Sequence, residues 1–192
     1  MTRPARSAVL EAVEAALTAN FGHAPQRASV SFVGVEPLQV LRYDSGPDEQ
    51  TFVTLGLSAN PMTAAQETIA AADGPRAELL LTVRSGWSEV WRALAVLAAS
   101  PAVEGVVYSV GSSVDTGAPL APGSRCTGAL IAASEVAPVV LDSVQVDVLS
   151  LLAATSIELG WCRVHGAPAL RERWAEQGTD LRDLARPPAR LD

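Results

Sequence analysis

Lysine is absent from this sequence, and cysteine, histidine and aromatic residues are scarce. All 14 basic residues are arginines, and the 192 residues include two cysteines, two histidines and 5% aromatic residues. Two cysteines are too few for a disulfide framework and are typical of a protein kept in a reducing compartment. The missing lysines, beside abundant alanine, indicate the codon bias of a GC-rich genome rather than a mechanism.

Long apolar runs are also missing. No run approaches the roughly 20 apolar residues that span a bilayer, and Glu11 and Glu14 interrupt the N-terminal stretch that a signal peptide would need. We therefore expect a cytoplasmic protein that does not bind a membrane. Hydrophobic residues make up 48% and charged residues 18% of the chain, which is typical of a folded globular protein. We predict one domain over residues 1–192, with its core at about 10–188 and an irregular tail at 180–192.

The formal net charge of −7 is concentrated in the middle of the chain. Residues 44–158 hold thirteen carboxylates and four arginines, a net charge of −9, whereas residues 1–43 and 159–192 each carry +1. This acidity argues against nucleic acid as a partner, because nucleic acid binds basic surfaces. The acidic middle is either a solubilising surface or a contact surface for a basic partner.

Four carboxylates are the candidate partner contacts. Asp44, Asp48 and Glu49 precede the third predicted strand, and Asp115 lies in a segment rich in Gly, Ser and Pro that is predicted to be a long loop. Loops carry binding contacts more often than strands do. A basic partner would be attracted to these groups over a long range, and salt would weaken the attraction.

The spacing of apolar residues and helix-end signals predicts four helical segments. We expect Trp87 and Trp91 to lie in the core, whereas Trp161 and Trp174 are core residues or exposed binding anchors. The markers, in chain order, are Leu10, Val13, Leu17 and Phe21 before a stop at Gly22; Ser88 as N-cap, with Val90, Leu94 and Leu97 before a stop at Pro101; the capping box Thr155 to Glu158 before Gly166; and Leu170 with Trp174.

Alternating or continuous apolar residues predict strands between these helices. A loose segment at 63–75, which could also form a short helix, and a long loop at 112–123 separate some of them. This order of helices and strands predicts an α+β fold. The predicted strands cover residues 29–33, 38–43, 52–57, 78–83, 106–110, 127–132 and 144–152.

Residues that could carry catalysis or bind metal are few. The sequence has no phosphate loop, no dinucleotide fingerprint and no known hydrolase or metalloprotease motif. Cys162 and His165 are three residues apart and could share a metal on a helix, but a zinc site needs two more ligands. Cysteine is often a small buried apolar residue, so we predict core packing for Cys162 and neither a metal nor a cofactor.

Several consecutive blocks resemble the suppressor of fused family. The family's order is a "TLG-hydrophobic-S" strand, a Pro-Met turn, an acidic-led "ELLLTV" strand and a "W-x-x-L-x-x-L-A-x-x-P" helix. The resemblance covers roughly residues 10–188 and is more specific in the first half than in the second. The matching positions, which we predict to be structural, are Thr54, Gly56, Ser58, Pro61, Met62, Glu78, Trp91, Pro101 and Gly166.

This resemblance implies a mixed, largely antiparallel sheet packed with helices and no enzymatic activity. Animal members resemble the chain in their N-terminal domain and clamp a short peptide with a second domain, whereas bacterial single-domain members are commonly immunity proteins beside polymorphic toxins. We therefore expect a protein partner, with a basic toxin domain as the leading candidate. A stand-alone regulatory adaptor is the first alternative. An enzymatic or small-molecule-binding domain is the second. A hydrolase site would need Ser112, Ser113 and Asp115 with a distant histidine, and the spacing of these residues does not support one.

Overall fold

The computed structural model describes residues 4–67 and 74–192, and in these residues the chain forms four α-helices and eight β-strands. The helices are α1 (Arg6–Phe21), α2 (Trp91–Glu104), α3 (Ser156–His165) and α4 (Ala167–Glu176). The strands are β1 (Gln26–Val30), β2 (Leu38–Gly46), β3 (Glu49–Leu55), β4 (Ala77–Arg84), β5 (Ser113–Asp115), β6 (Cys126–Ala133), β7 (Val139–Leu141) and β8 (Val144–Thr155).

The strands form one mixed sheet. Seven of them follow the order β1-β2-β3-β4-β8-β6-β5, and β7 pairs with β8 beside this path. Each of these pairs is antiparallel except β4 with β8, which is parallel. The parallel pairing places Ala77 opposite Asp147 and joins the N-terminal half of the sheet to the C-terminal half. The sheet is therefore mixed and largely antiparallel, as the resemblance to the suppressor of fused family implies.

Helices cover both faces of this sheet, and the alternation of residues in β8 shows which helix lies on which face. Val146 belongs to the buried cluster that contains Val13 of α1, whereas Leu149 belongs to the cluster that contains Leu94 of α2. Further along β8, Ala154 joins the cluster formed by α3 and α4. Because side chains alternate along a strand, α1, α3 and α4 share one face and α2 covers the other.

Pro101 lies inside α2 and does not end it, contrary to the sequence prediction; the helix continues to Glu104. A proline inside a helix leaves the carbonyl four residues earlier without its usual N–H donor. Here the hydroxyl of Tyr108 donates to that carbonyl, on Leu97, at 2.7 Å. The predicted strand at 106–110 is also wrong, since this segment is irregular and places Tyr108 in the core cluster that contains Leu94 and Leu97 of α2.

Other boundaries differ from the predictions as well. The first strand lies at Gln26–Val30 rather than 29–33, and the predicted loop at 112–123 contains β5. A short helical turn at Ser88–Val90 leads into α2, with Trp87 at its N-cap position, so Ser88 is not the predicted cap. The pattern missed β7, and the predicted segment 63–75 lies partly outside the described residues.

The tryptophans are buried to different degrees. Trp87 and Trp91 are only partly buried against the core next to α2, although the sequence predicts both in the core. The Arg92 guanidinium lies 5.1 Å from the ring centre of Trp91. Truncation of Trp91 should therefore cost less than the roughly 3–5 kcal/mol of a fully buried aromatic residue. Trp174 is 3% exposed, and Trp161 is partly buried.

Two glycines on neighbouring elements should respond oppositely to alanine. A Cβ on Gly128 of β6 would lie 2.0 Å from the carbonyl oxygen of Val114 in β5, whereas a Cβ on Gly160 of α3 would meet nothing within 4 Å. We expect Gly128→Ala to lower the free energy of unfolding by at least about 1–3 kcal/mol, because β5 must shift. Gly160→Ala should raise it by up to about 1 kcal/mol. Urea unfolding measures both, and a harmless Gly128→Ala would contradict the β5–β6 pairing.

Candidate functional site

The buried carboxylate of Glu78 brings together four of the positions that resemble the family motif. Its Oε1 accepts hydrogen bonds from the backbone N–H of Gly56 at 2.9 Å, the N–H of Ser58 at 3.0 Å and the Ser58 hydroxyl at 2.6 Å. Its Oε2 accepts from the Thr54 hydroxyl at 2.5 Å. Thr54 in turn accepts the N–H of Leu79 at 2.8 Å. The Glu78 carboxylate therefore fixes the end of β3 against the start of β4.

This arrangement explains the residue types in the motif. Gly56 has a φ of 132°, and a Cβ there would lie 2.9 Å from the side chain of Leu38, so only glycine suits this position. Burial raises the pKa of Glu78, and the hydrogen bonds from Ser58, Thr54 and Gly56 oppose that rise. Arg76 is also buried and donates to the carbonyl of Ser58 at 2.6 Å. These charged and polar groups hold the turn that follows β3.

Of the remaining motif positions, Pro61, Met62 and Pro101 lie beside this turn, whereas Trp91 begins α2 and Gly166 lies at the end of α3. Met62 is 4% exposed and belongs to the core, and Gly166 ends α3 with a φ of 86°. A pocket of about 310 Å³ lies between the turn and the second half of α2. It is lined by Gly34, Val35, Glu36, Leu38, Gly56, Leu57, Asn60, Pro61, Met62, Thr63, Ala98, Pro101 and Ala102.

A second buried carboxylate, Glu158, joins α3, α4 and the C-terminal tail. It forms the predicted capping box with Thr155, whose N–H and hydroxyl both donate to Oε2. It also accepts hydrogen bonds from Trp174 Nε1 at 2.9 Å, from the N–H of Ala189 at 3.0 Å, and from both terminal nitrogens of Arg186 at 2.7 and 2.9 Å. These hydrogen bonds hold Arg186 and Ala189 of the irregular C-terminal tail against the interior of the protein.

The charge state of Glu158 depends on these donors. Burial works against ionisation, but the hydrogen bonds from Arg186, Ala189, Thr155 and Trp174 outweigh it and lower the pKa of Glu158. Arg186 is 5% exposed and also donates to the carbonyl of Ala153 at 2.8 Å. The sequence analysis missed Arg186, because an arginine in an irregular segment carries no signal of burial.

The tail continues across the end of the sheet. The N–H of Arg125 donates to the carbonyl of Leu184 at 2.7 Å, and Leu184 is fully buried. Arg84 pairs with Asp180, and Arg182 pairs with both Asp180 and Glu49. The segment predicted as an irregular tail thus contributes to the core.

The four candidate partner contacts do not form one acidic face. Asp44, Asp48 and Glu49 meet at the β2–β3 hairpin, but Asp115 is half-buried on β5 at the far edge of the sheet, where it accepts the N–H of Gly117 at 3.0 Å. Glu49 begins β3 rather than preceding it and pairs with Arg182. Asp44 lies 3.6 Å from Arg42. Among the ion pairs of residues 4–67 and 74–192, Asp48 has none, and it is exposed.

The two residues considered for a metal site, Cys162 and His165, lie in different environments. Cys162 is buried, and burial raises its pKa, whereas His165 is exposed and stacks on Trp161 with ring centres 4.1 Å apart. Burial also raises the pKa of Cys126 to about 11. Within the part of the chain that the structure describes, no group of three or more His, Cys, Asp or Glu side chains could hold a metal ion. None of the helices described is long and apolar enough to cross a membrane.

These contacts define an α+β domain whose two most deeply buried carboxylates hold the fold together. The family model for suppressor of fused protein matches residues 34–187, and the chain belongs to this family. No curated protein matches the chain.

Solved structures share the fold. A protein described as a suppressor of fused homologue from Neisseria gonorrhoeae FA 1090 is 18% identical, with a TM-score of 0.72, and the match covers 95% of this chain and 97% of that one. A chain from the Sufu–Fu complex is 14% identical, with a TM-score of 0.63 and coverage of 94% and 91%. Drosophila Suppressor of Fused is 13% identical, with a TM-score of 0.63, and the match covers 94% of this chain and 50% of that protein.

The Glu158–Arg186 pair predicts how the stability of the protein depends on pH. The lowered pKa of Glu158 means that its contribution to stability is present above the ordinary pKa of 4.5 and is lost as pH falls through the folded-state pKa. In Arg186→Met, burial without the arginine should raise that pKa, so stability should instead fall as pH rises. We expect a loss of about 3–5 kcal/mol at pH 7 that shrinks towards pH 5.

Urea unfolding at the two pH values measures this effect. Arg190→Met is the matched control, because Arg190 is exposed and its backbone, not its side chain, makes the hydrogen bonds to Gln177. A loss of equal size at both pH values would show that the effect of Arg186 does not depend on the ionisation of Glu158.

Proposed function

We propose that this chain is a non-catalytic, cytoplasmic protein-binding domain that neutralises a toxin. The observation that supports the proposal is that the carboxylates, the arginine and the thiols with the most unusual environments are buried. Glu78, Glu158 and Arg186 are buried and engaged in hydrogen bonds with the fold, and the thiols of Cys126 and Cys162 are buried with raised pKa values. Catalysis needs such groups placed where a substrate can reach them.

The comparisons support a protein as the partner. One solved structure with this fold is of the Sufu–Fu complex. An adaptor that binds an endogenous protein would use the same fold, so the identity of the partner needs a functional test.

The acidity of the chain supports a basic partner. Asp48 is exposed at the β2–β3 hairpin and has no ion pair among the residues described here, so its charge is available to attract a cation. Glu49 is engaged with Arg182, and its reversal would also disturb the tail. Asp48 is therefore the residue at which binding can be tested separately from folding.

The function is tested by first reading whether the neighbouring upstream gene encodes a toxin, and then co-expressing the domain of that toxin with this protein. We expect growth of the host to be restored when both are present. An absence of rescue, with the toxin shown to be active and this protein folded, would overturn the immunity function. Recovery of an endogenous protein partner in place of a toxin would favour the adaptor.

Charge reversal at Asp48 tests the role of electrostatics. Asp48→Arg should slow association with the toxin domain by on the order of 3- to 10-fold at 0.15 M salt, with a smaller difference at 1 M salt. Glu172→Arg makes the same charge change on the exposed side of α4 and serves as the control. Stopped-flow association rates measure the effect. Equal slowing by both variants would indicate a general charge effect instead of a contact at the hairpin.

A further inference from the structure

The strand β1 is an open edge of the sheet. It is the first strand in the sheet order and pairs with β2 alone among the described strands. The pairing is regular over five consecutive residues, from Gln26 opposite Arg42 to Val30 opposite Leu38, without a bulge. In an antiparallel pair, about half of the backbone N–H and C=O groups of an edge strand point away from its neighbour. Gln26, Arg27 and Ser29 are exposed, so these groups are open to a partner.

A groove runs beside this edge on the face covered by α2. Its volume is about 180 Å³, and Ala28, Val40 and Phe52 form its apolar part. The partly buried Trp91 also lines it, together with the charged residues Arg27, Arg42 and Glu89. Arg27 pairs with Glu14 and Glu89 pairs with Arg92, so Arg42 is the charge in the groove with the weakest partner. A strand added to β1 would direct every second side chain towards this face. The edge thus offers backbone hydrogen bonds, and the groove offers contacts for side chains.

Arg42 indicates which side chain the groove would take. Its Nε is buried and has no hydrogen-bond partner within the residues that the structure describes. Its terminal nitrogen is 3.6 Å from Asp44, longer than a direct hydrogen bond. A carboxylate can accept two parallel hydrogen bonds from an arginine. The charge of Arg42 is therefore complementary to an acidic side chain, and a turn of the guanidinium towards the groove would make its unused Nε donor available.

A second copy of this chain fits the edge less well. If two β1 strands paired antiparallel about Ala28, each Arg27 would face Ser29 of the other copy. The two Arg27 side chains would then be diagonal neighbours on the same face, where like charges repel. The ion pair between Arg27 and Glu14 of its own chain weakens this repulsion, but residues 26–30 contain no Asp or Glu that a second copy could offer to Arg42. An acidic extended segment of another protein meets no such conflict.

We infer that β1 accepts an extended segment of a protein partner as an additional strand, with a carboxylate of that segment bound by Arg42 and an apolar neighbour packed near Trp91. The inference rests on the proposed protein-binding function but not on the toxin as the partner. It adds a specific contact to that function, since Arg42 lies on β2 near the hairpin that carries Asp48. One partner can therefore contact both places.

Proline substitution can close the edge without unfolding the sheet. Because N–H groups along an edge strand point alternately towards the neighbour and away from it, one of Ala28→Pro and Ser29→Pro removes an outward N–H only. That variant should melt like the wild type, whereas the other should melt lower. The wild-type-like variant is the protein with a blocked edge. Arg42→Glu reverses the charge in the groove, and Arg163→Glu on the exposed face of α3 is its matched control.

The probe is a displayed library of random 12-residue peptides selected against the full chain. We expect the selected peptides to share an Asp or Glu and to protect amides of residues 26–30 from hydrogen exchange. Their Kd should rise at least tenfold with Arg42→Glu and with the blocked edge, and should stay within twofold with Arg163→Glu. If no peptide is enriched, or if the enriched peptides protect another strand and bind the blocked edge equally well, the inference is overturned. Protection of another strand would still leave the protein-binding function in place.

Discussion

The carboxylate of Glu78 is the interaction on which the centre of this structure depends. It is fully buried, and four donors from Thr54, Gly56 and Ser58 surround it. A buried carboxylate is costly unless such donors compensate for lost water. Because they all come from the end of β3 and the turn after it, that turn has one favourable conformation. The turn sets the position of β4, and β4 makes the parallel contact with β8 that joins the two halves of the sheet.

The second buried carboxylate repeats this solution at the other end of the molecule. Glu158 caps α3 and also holds the C-terminal tail, because Arg186 and the N–H of Ala189 donate hydrogen bonds to it. The buried carboxylates of Glu78 and Glu158 therefore stabilise the fold, and contacts to a partner would come from surface residues. The exposed Asp48 lies in the hairpin that follows β2, and the open edge strand β1 pairs with the same strand from Gln26 opposite Arg42 to Val30 opposite Leu38.

Much of the fold could be predicted from the sequence, since local patterns determined it. The stripe before Gly22, the alternating valines of β8 and the capping box of α3 are each encoded within a few residues. The errors arose where a distant residue decides the outcome. Pro101 stays inside α2 because Tyr108 satisfies the freed carbonyl, and Arg186 is buried because Glu158 lies beneath it. For the site, the resemblance picked out Thr54, Gly56, Ser58 and Glu78, but their shared hydrogen bonds required the fold. The edge at β1 could not be predicted, because strand order is not a local property.

The free energy of unfolding of two Glu78 variants tests the central claim most directly. Glu78→Leu removes the acceptor from two backbone N–H groups and two hydroxyls, and it should lower the free energy of unfolding by at least about 3 kcal/mol. Glu78→Gln keeps an amide oxygen for Gly56 and Ser58 and should lose less. Urea unfolding at pH 7 provides both values. A Glu78→Leu variant as stable as the wild type would contradict the claim that this carboxylate organises the fold.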